Sequence, residues 1–279
     1  KSLLARAFVA LLPPPDPEER LAITRILSAT GRWPGGLVAT RPFRAPHHTT
    51  SYAGLVGGGN PPQPGEITLA HAGVLFLDEL AEFRREALEA LRQPLEEGRI
   101  TIARAGRRLD LPARFALVCA MNPCPCGYRG HHRVRCRCSP AEVWRYRRRI
   151  SGPLLDRIDL RLELPAPGLD ELAAAPRGGD GGGEGEAVRR SILDAHERTR
   201  ERRDAPPNAR LEADALDRLV PLGPRERRLL EEAVDQRGLS ARAVQSLRRI
   251  ARSIADLDGV ERVDASHLAQ ALALRAPLL

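Results

Sequence analysis

A short apolar run, Val74–Leu77, constrains the fold of this chain more than any other stretch. It is preceded by Gly73 and followed by two adjacent acids, Asp78 and Glu79. Strands that are buried on both faces carry such unbroken apolar runs, whereas half-buried strands alternate apolar and polar residues. The run therefore predicts a buried strand of an α/β protein. Because ligands of α/β sheets bind at the carboxyl ends of the strands, the two acids are candidate functional residues.

Asp78 and Glu79 have the chemistry that nucleotide hydrolysis needs. In P-loop nucleotide hydrolases an aspartate at this point holds the Mg²⁺ that bridges the β- and γ-phosphates, and a following glutamate can polarise the attacking water. The alternative interpretation is a core strand that ends in a solvated acidic turn, which is common in α/β proteins. On these residues alone both interpretations stay open.

The first two residues, Lys1 and Ser2, match the end of the phosphate-binding motif GxxxxGK[ST]. That motif runs directly into a helix, and residues 3–12 have helical periodicity. The glycines of the motif, which let backbone N–H groups surround the phosphates, do not precede Lys1 in this sequence. We therefore expect the 279 residues alone to bind ATP weakly or not at all.

The charge of the chain favours a polyanionic partner. The net charge is +8 at pH 7, and arginine supplies almost all of the positive charge because Lys1 is the only lysine. A basic surface attracts nucleic acid and guanidinium groups grip phosphate with a planar fork, although an arginine-rich genome would give the same composition. The sequence has neither an apolar run of about 18 residues nor a secretion signal. We expect a cytoplasmic chain with no membrane partner.

A predicted β-hairpin follows the strand that ends in the two acids. Residues 99–104 and 108–114 alternate apolar and polar side chains on either side of a tight turn at residues 105–107. The arginines at its tip are expected DNA contacts: Arg104, Arg107 and Arg108.

Several stretches together resemble one class of nucleotide-driven motors. A strand ending in Asp78 and Glu79, an inserted hairpin, and an apolar strand at 115–121 ending in Asn122 are similar to Walker B, the pre-sensor hairpin and sensor 1 of AAA+ ATPases. A narrower resemblance is to the magnesium-chelatase-like ATPases of the bacterial ComM/YifB family. It rests on residues 41–48 (RPFRAPHH), 64–71 (PGEITLAH) and 122–127 (NPCPCG).

This resemblance implies a fold and a function. The implied fold is α/β, a P-loop AAA+ core of three α/β/α layers with a mostly parallel sheet, followed by a small C-terminal helical lid. The implied function is an ATP-hydrolysing motor of the branch-migration or helicase type, which acts on DNA in uptake and recombination as a hexameric homo-oligomer. Two alternatives stay open: the motor subunit of a magnesium or cobalt chelatase, and a zinc-stabilised nucleic-acid-binding module without catalysis. The family's amino-terminal protease-like domain does not occur in this sequence.

The same resemblance assigns nucleotide roles to residues that lie far apart in the sequence. Lys1 would contact the β- and γ-phosphates of ATP, while Ser2 and Asp78 would hold Mg²⁺. Glu79 would activate the attacking water, and Asn122 would orient it.

Two further arginines match motifs that sense the γ-phosphate. Arg157 matches the arginine finger that enters the site of a neighbouring subunit, and its alternative role is a salt bridge with Asp156 or Asp159. Arg242 matches the sensor 2 residue of the lid, and its alternative is one more surface arginine.

Four cysteines form a candidate zinc site, because paired thiolates can close a tetrahedron around Zn²⁺. They are spaced Cys-x-Cys, nine residues, Cys-x-Cys: Cys124, Cys126, Cys136 and Cys138. Free thiols are the alternative. Cys119 lies within a predicted strand and is expected to be a buried core thiol.

The sequence also predicts the domain organisation. The AAA+ core would span residues 1–167 with a cysteine-rich insert at 123–139, a Gly-rich linker would span 168–186, and the helical lid would span 187–279. Residues 41–65, rich in Pro, Gly, His and Thr, predict a long loop. His47 and His48 in this loop are either ligands or hydrogen-bonding groups.

Overall fold

A computed structural model of the chain describes residues 1–33, 35–104, 107–131, 133–164, 184–202 and 205–275. These residues divide into two compact units, 1–157 and 158–279. The predicted linker at 168–186 falls almost wholly outside the described residues. The predicted domain boundaries therefore stay predictions.

The centre of the first unit is a three-stranded parallel sheet. Its middle strand, β4 (Val74–Leu77), pairs with β1 (Phe43–Arg44) on one side and with β7 (Ala116–Cys119) on the other. All four residues of β4 are buried, as the apolar run predicts. A side chain at Gly73 would place its Cβ 2.0 Å from the carbonyl oxygen of Pro42. Only glycine fits where β4 starts to pair with β1.

Short helices and two antiparallel ribbons surround this sheet. The helices of the first unit are α1 (Ser2–Leu11), α2 (Pro17–Ala29), α3 (Tyr52–Val56), α4 (Glu66–Leu69), α5 (Arg85–Glu89), α6 (Arg92–Glu97), α7 (Pro140–Arg147) and α8 (Gly152–Leu155), with a 3₁₀ turn at Leu80–Glu82. The ribbons are β2 (Gly57–Gly58) with β3 (Gln63–Pro64), and β5 (Arg99–Arg104) with β6 (Arg107–Pro112). The predicted hairpin is thus confirmed.

The prediction of a long loop at 41–65 is wrong in part, because β1, α3 and the β2–β3 ribbon lie within it. Strands of two residues are too short to show a period-two pattern. β1 is held in place from both directions: it pairs with β4, and Arg44 forms a two-pronged ion pair with Glu66 of α4, with N···O distances of 2.6 and 2.7 Å. This pair raises the pKa of Arg44.

Apolar and charged residues alternate at helical spacing over residues 83–95, which predicts one helix there. The structure divides this segment into α5 and α6. Pro94 gives the physical reason. It has no N–H to donate to the carbonyl of Ala90, so a continuous helix would lose that hydrogen bond. The helix restarts at Arg92, with Pro94 in the first turn of α6. Gly98 ends α6 with φ +66°, as predicted for a helix-terminating glycine.

The described elements of the second unit are mainly helices. They are α9 (Glu184–Glu201), α10 (Ala213–Leu219), α11 (Pro224–Arg237), α12 (Ala241–Leu257) and α13 (Ala265–Ala273), with a 3₁₀ turn at Asn208–Arg210. Helical periodicity at residues 213–220, 224–237, 241–257 and 265–274 predicts the last four of these helices to within one residue. Leu247, Ala251 and Ala255 recur every four residues on α12 and are fully buried, so one stripe of this helix forms the core.

Candidate functional site

Four residues from distant parts of the sequence meet at the carboxyl edge of the parallel sheet. Asp78 follows β4, Asn122 follows β7, and Lys1 and Ser2 stand at the start of α1. The Ser2 hydroxyl donates to Asp78 Oδ2 at 2.7 Å, and Lys1 Nζ donates to Asn122 Oδ1 at 2.9 Å. Lys1 Nζ also donates to the carbonyl of Met121 at 2.7 Å. The sheet therefore brings together an ammonium group, a carboxylate, a hydroxyl and an amide.

The pair formed by Ser2 and Asp78 fits Mg²⁺. Magnesium prefers oxygen ligands at about 2.1 Å in an octahedron, and adjacent ligands of such an octahedron lie about 3 Å apart. Ser2 Oγ and Asp78 Oδ2 are 2.7 Å apart, and both are hard oxygen donors. Lys1 adds a positive charge to the same place, which suits the phosphates that accompany this cation in nucleotide sites.

Glu79, the second acid, has an unusual backbone and an unpredicted partner. Its φ is +52°, in the left-handed region that side chains other than glycine rarely adopt. The Oε2 atom of its carboxylate lies 3.2 Å from Nδ1 of the His48 ring. The His48 ring also contacts His47, at 4.0 Å between centroids, and meets Phe83 edge-on. A strained position that carries a reactive side chain is typical of functional sites.

Sequence reasoning left the roles of both histidines open. The structure separates them: His47 Nδ1 is 2.9 Å from Thr49 Oγ1 within its own loop, whereas His48 contacts Glu79. The signal that could have found this contact is β1. Since β1 pairs in parallel with β4, the residues that follow it run toward the same sheet edge as Glu79.

Arg157 is held within its own chain. It donates to the carbonyl of Pro153 and forms an ion pair with Glu96, and its side chain is 10% exposed. The ion pair is with Glu96, a partner that the sequence did not suggest. The arginine-finger role stays a prediction.

The remaining predicted contacts with phosphate and DNA are Arg242 and the three hairpin arginines. Arg242 is an exposed residue in the first turn of α12, after the N-cap Ser240, and its sensor role stays a prediction. In the hairpin, Arg104 and Arg107 are register partners next to the turn. Arg108 is exposed and lies 3.5 Å from Asp110. DNA contact by the three hairpin arginines stays a prediction.

The four clustered cysteines converge between β7 and α7. The Sγ atoms of Cys124, Cys126 and Cys136 lie 3.4 to 3.7 Å apart, and those of all four cysteines lie within 4.8 Å of one another. Zinc–sulfur bonds of about 2.3 Å place the corners of a tetrahedron about 3.8 Å apart, so this geometry fits Zn²⁺. All five cysteines are free thiols.

The thiol pKa values differ within the cluster. Desolvation, and then hydrogen bonds and charge shared with Cys126 and Cys124, raise the pKa of Cys136 and raise that of Cys138 to about 12. Hydrogen bonds from the backbone of Tyr128, and then of Arg137, lower the pKa of Cys126 to about 6. The thiolate is the form that binds metals, and Cys126 holds it at neutral pH. Desolvation raises the pKa of Cys119 to about 12, so that thiol stays protonated, as expected of a core cysteine.

Two family models match this chain. A family model described as "Magnesium chelatase, subunit ChlI" matches residues 1–172, and the model of that subunit's C-terminal part matches residues 182–275. The chain belongs to the magnesium chelatase ChlI family. Membership confirms the predicted fold class, an α/β AAA+ core with a parallel sheet followed by a C-terminal helical domain.

Individual relatives show which members of this family the chain resembles. The chain is 42% identical over 283 residues to "Uncharacterized protein YifB" of Salmonella typhimurium, and 43% identical over 283 residues to "Competence protein ComM" of Haemophilus influenzae. Both alignments cover 99% of this chain, but 54% and 53% of the relatives. The predicted resemblance to the ComM/YifB family is confirmed, and the chain spans about half the length of the curated relatives it matches. None of the described helices combines the length and the apolar character of a membrane span.

Proposed function

We propose that this chain is the ATP-hydrolysing motor of a ring-shaped homo-oligomer that moves DNA. The observation that carries the proposal is the meeting of Lys1, Ser2, Asp78 and Asn122 at one sheet edge, with Ser2 Oγ 2.7 Å from Asp78 Oδ2 and Lys1 Nζ 2.9 Å from Asn122 Oδ1. Family membership supports ATP hydrolysis. The name of the relative ComM, a competence protein, supports a role in DNA uptake.

Each residue of the site has a separate role in the proposed ATP hydrolysis. Mg²⁺ bound with ATP neutralises charge on the β- and γ-phosphates. Ser2 and Asp78 hold that ion, and Lys1 binds the phosphates directly. Asn122 orients the attacking water, and Glu79 takes its proton. For that step the Glu79 carboxylate must leave the contact with His48 and turn toward the water.

Arg157 and Arg242 complete the proposed site. Arg157 supplies positive charge to the γ-phosphate bound by a neighbouring subunit, and Arg242 does so from the helical domain. In the structure Arg157 is paired with Glu96. Assembly of the ring must therefore exchange the Glu96 carboxylate for phosphate oxygens.

Zinc is the second proposed ligand, bound by Cys124, Cys126, Cys136 and Cys138. Elemental analysis of the purified chain should find about one zinc per chain. The Cys124→Ser/Cys138→Ser variant should lose it, while a Cys119→Ser variant should keep it. A zinc-free wild-type protein, prepared without chelators, would refute this assignment.

DNA-stimulated ATP turnover tests the motor. The measurement uses a form of the chain extended at its amino end by a complete GxxxxGK[ST] loop, because that loop supplies the phosphate-binding N–H groups. We expect turnover to rise on addition of DNA, and the Glu79→Gln variant to bind ATP but hydrolyse it poorly. Turnover that is indifferent to DNA would reject the DNA motor.

A chelatase motor is the second candidate, because both matching family models describe the ChlI subunit of magnesium chelatase. Such a motor should hydrolyse ATP without any response to DNA. The third candidate, a zinc-stabilised binding module without catalysis, draws on the cysteine cluster. It should bind zinc and nucleic acid, and show no turnover even with the complete loop. The same assay thus separates the three.

A further inference from the structure

An exposed tryptophan stands directly after the cysteine cluster. Trp144 lies on α7, and its side chain is 60% exposed. The guanidinium carbon of Arg148 lies 4.2 Å from the centroid of the indole ring. Together they present a flat aromatic ring with a stacked planar cation.

Trp144 has a fixed position. Ser139, the residue after Cys138, caps α7 in a reciprocal arrangement with Glu142, and the helix begins at Pro140. Val143 and Tyr146 on the same helix are buried and hold it against the first unit. The exposed ring is therefore anchored on a rigid element.

The surroundings of Trp144 are strongly basic. Between Cys124 and Arg149 the sequence has eight arginines and one acid, Glu142. The carboxylate of Glu142 is engaged in the helix cap, where it accepts from the backbone N–H and the hydroxyl of Ser139 at 2.7 and 2.9 Å. Six of the arginines are exposed and form no ion pair with described residues: Arg129, Arg133, Arg135, Arg137, Arg145 and Arg148. Charge on this scale is complementary to a polyanion.

The combination of stacking and charge selects one kind of polyanion. Single-stranded nucleic acid binds where a basic groove tracks the phosphates and aromatic rings stack on unpaired bases. In a duplex the base faces are already stacked on one another, so an exposed indole gains little from it. Tyr128, a second exposed aromatic residue, lies within the cysteine segment itself.

We propose that Trp144, Arg148 and the exposed arginines of the cysteine segment form a binding surface for single-stranded nucleic acid. Trp144 stacks on an unpaired base, and the arginines bind the flanking phosphates. This surface is additional to the predicted contacts of the β5–β6 hairpin. The inference takes its partner from the proposed function, but it is independent of ATP hydrolysis.

Intrinsic fluorescence tests the stacking directly. The chain has two tryptophans, so a Trp33→Phe variant leaves Trp144 as the only indole. We expect oligothymidine to quench its emission in a saturable way, and a duplex of equal length to quench it far less. An oligouridine titration distinguishes DNA from RNA as the source of the strand, and tighter binding of oligothymidine would assign DNA.

Affinity measurements supply the matched control. Stacking contributes about 1–3 kcal/mol per base, so Trp144→Ala should weaken binding of oligothymidine about 5- to 140-fold, whereas Trp144→Phe should retain most of it. Trp33→Ala removes the other indole, which is 54% exposed and lies outside the basic segment. This variant should leave the affinity unchanged. A folded Trp144→Ala variant with wild-type affinity would overturn the proposal. So would a Trp144→Ala variant that alters self-association and not affinity, because the surface would then be an interface between copies of the chain.

Failure of this inference can be told apart from failure of the motor. Quenching of Trp144 together with DNA-independent ATP turnover would leave the binding surface in place and reject the DNA motor. DNA-stimulated turnover that the Trp144→Ala variant retains, at wild-type affinity for single strands, would reject the surface and leave the motor.

Discussion

Removal of Asp256 should destabilise the helical unit severely. Asp256 is buried on α12, and its carboxylate accepts four hydrogen bonds: from Arg252 at 3.0 Å, Asn208 at 2.7 Å, Arg202 at 2.5 Å and Thr199 at 3.4 Å. Arg252 is itself only 2% exposed, and desolvation lowers its pKa. An Asp256→Ala variant would leave this buried guanidinium without its counter-charge. Removing one partner of a buried ion pair costs about 3–5 kcal/mol.

Hydrogen exchange is the suitable assay, because a chain of two units need not unfold in a single transition. The slowest amides of α12 report the opening free energy of the helical unit. A loss of about 3–5 kcal/mol should accelerate their exchange by about 10² to 10³·⁶. The amides of β4 in the first unit serve as an internal reference and should exchange at the wild-type rate.

Two control variants make the reasoning refutable. Glu231→Ala removes an exposed carboxylate from α11, and should change exchange by no more than a few-fold, since surface substitutions stay within about 0.5 kcal/mol. An Arg252→Met/Asp256→Leu double variant should recover most of the loss, because apolar residues of similar volume replace buried ion pairs at little cost. Acceleration below about tenfold in Asp256→Ala, or equal acceleration in β4, would refute the argument.

Three further predictions follow from other parts of the molecule. In the assembled form with a complete phosphate-binding loop, Arg157→Ala should lower ATP turnover about 10³-fold, whereas the exposed Arg225→Ala should not; normal turnover in Arg157→Ala would exclude the finger role. Arg108→Ala should weaken DNA binding uniformly across sequences and reduce the salt slope by about one, as measured by titration at several salt concentrations; an unchanged slope would show that Arg108 contacts no phosphate. The Ser266 hydroxyl, and then the backbone N–H groups that Asp264 caps, lower the pKa of Asp264. The Asp264 carboxylate therefore stabilises α13 fully above the ordinary carboxyl pKa. This stabilisation is lost as the pH falls through the lower pKa of the folded state, below about pH 4. An Asp264→Asn variant should lack this acid-dependent rise in amide exchange of α13, and an equal rise in both proteins would contradict the assignment.

Local patterns predicted most of the architecture. The apolar run at 74–77 predicted β4, and alternation on either side of a short turn predicted the β5–β6 hairpin. Helical periodicity gave α10 to α13 to within one residue. Two errors have local causes that the sequence contained: Pro94 divides one predicted helix into α5 and α6, and β1 is too short to show any period.

The candidate site was predicted in part. Lys1, Ser2, Asp78 and Asn122 were recognised from motifs, and the structure brings them together. No motif indicated the contact between His48 and Glu79 or the ion pair between Arg157 and Glu96. The first can be inferred only once β1 is known to pair with β4. Each joins residues that are distant in sequence, 61 positions apart for Arg157 and Glu96.

The sequence by itself determined the elements, the motif residues and the cysteine spacing, because periodicity, turn residues and metal-ligand spacing are properties of neighbours along the chain. The tertiary structure alone decided which side chains meet. Parallel pairing of β1 and β7 with β4 sets three strand ends side by side, and this pairing places His48 against Glu79 and Asn122 against Lys1. Such contacts depend on the register of strands that are far apart in the chain, and no local pattern encodes that register.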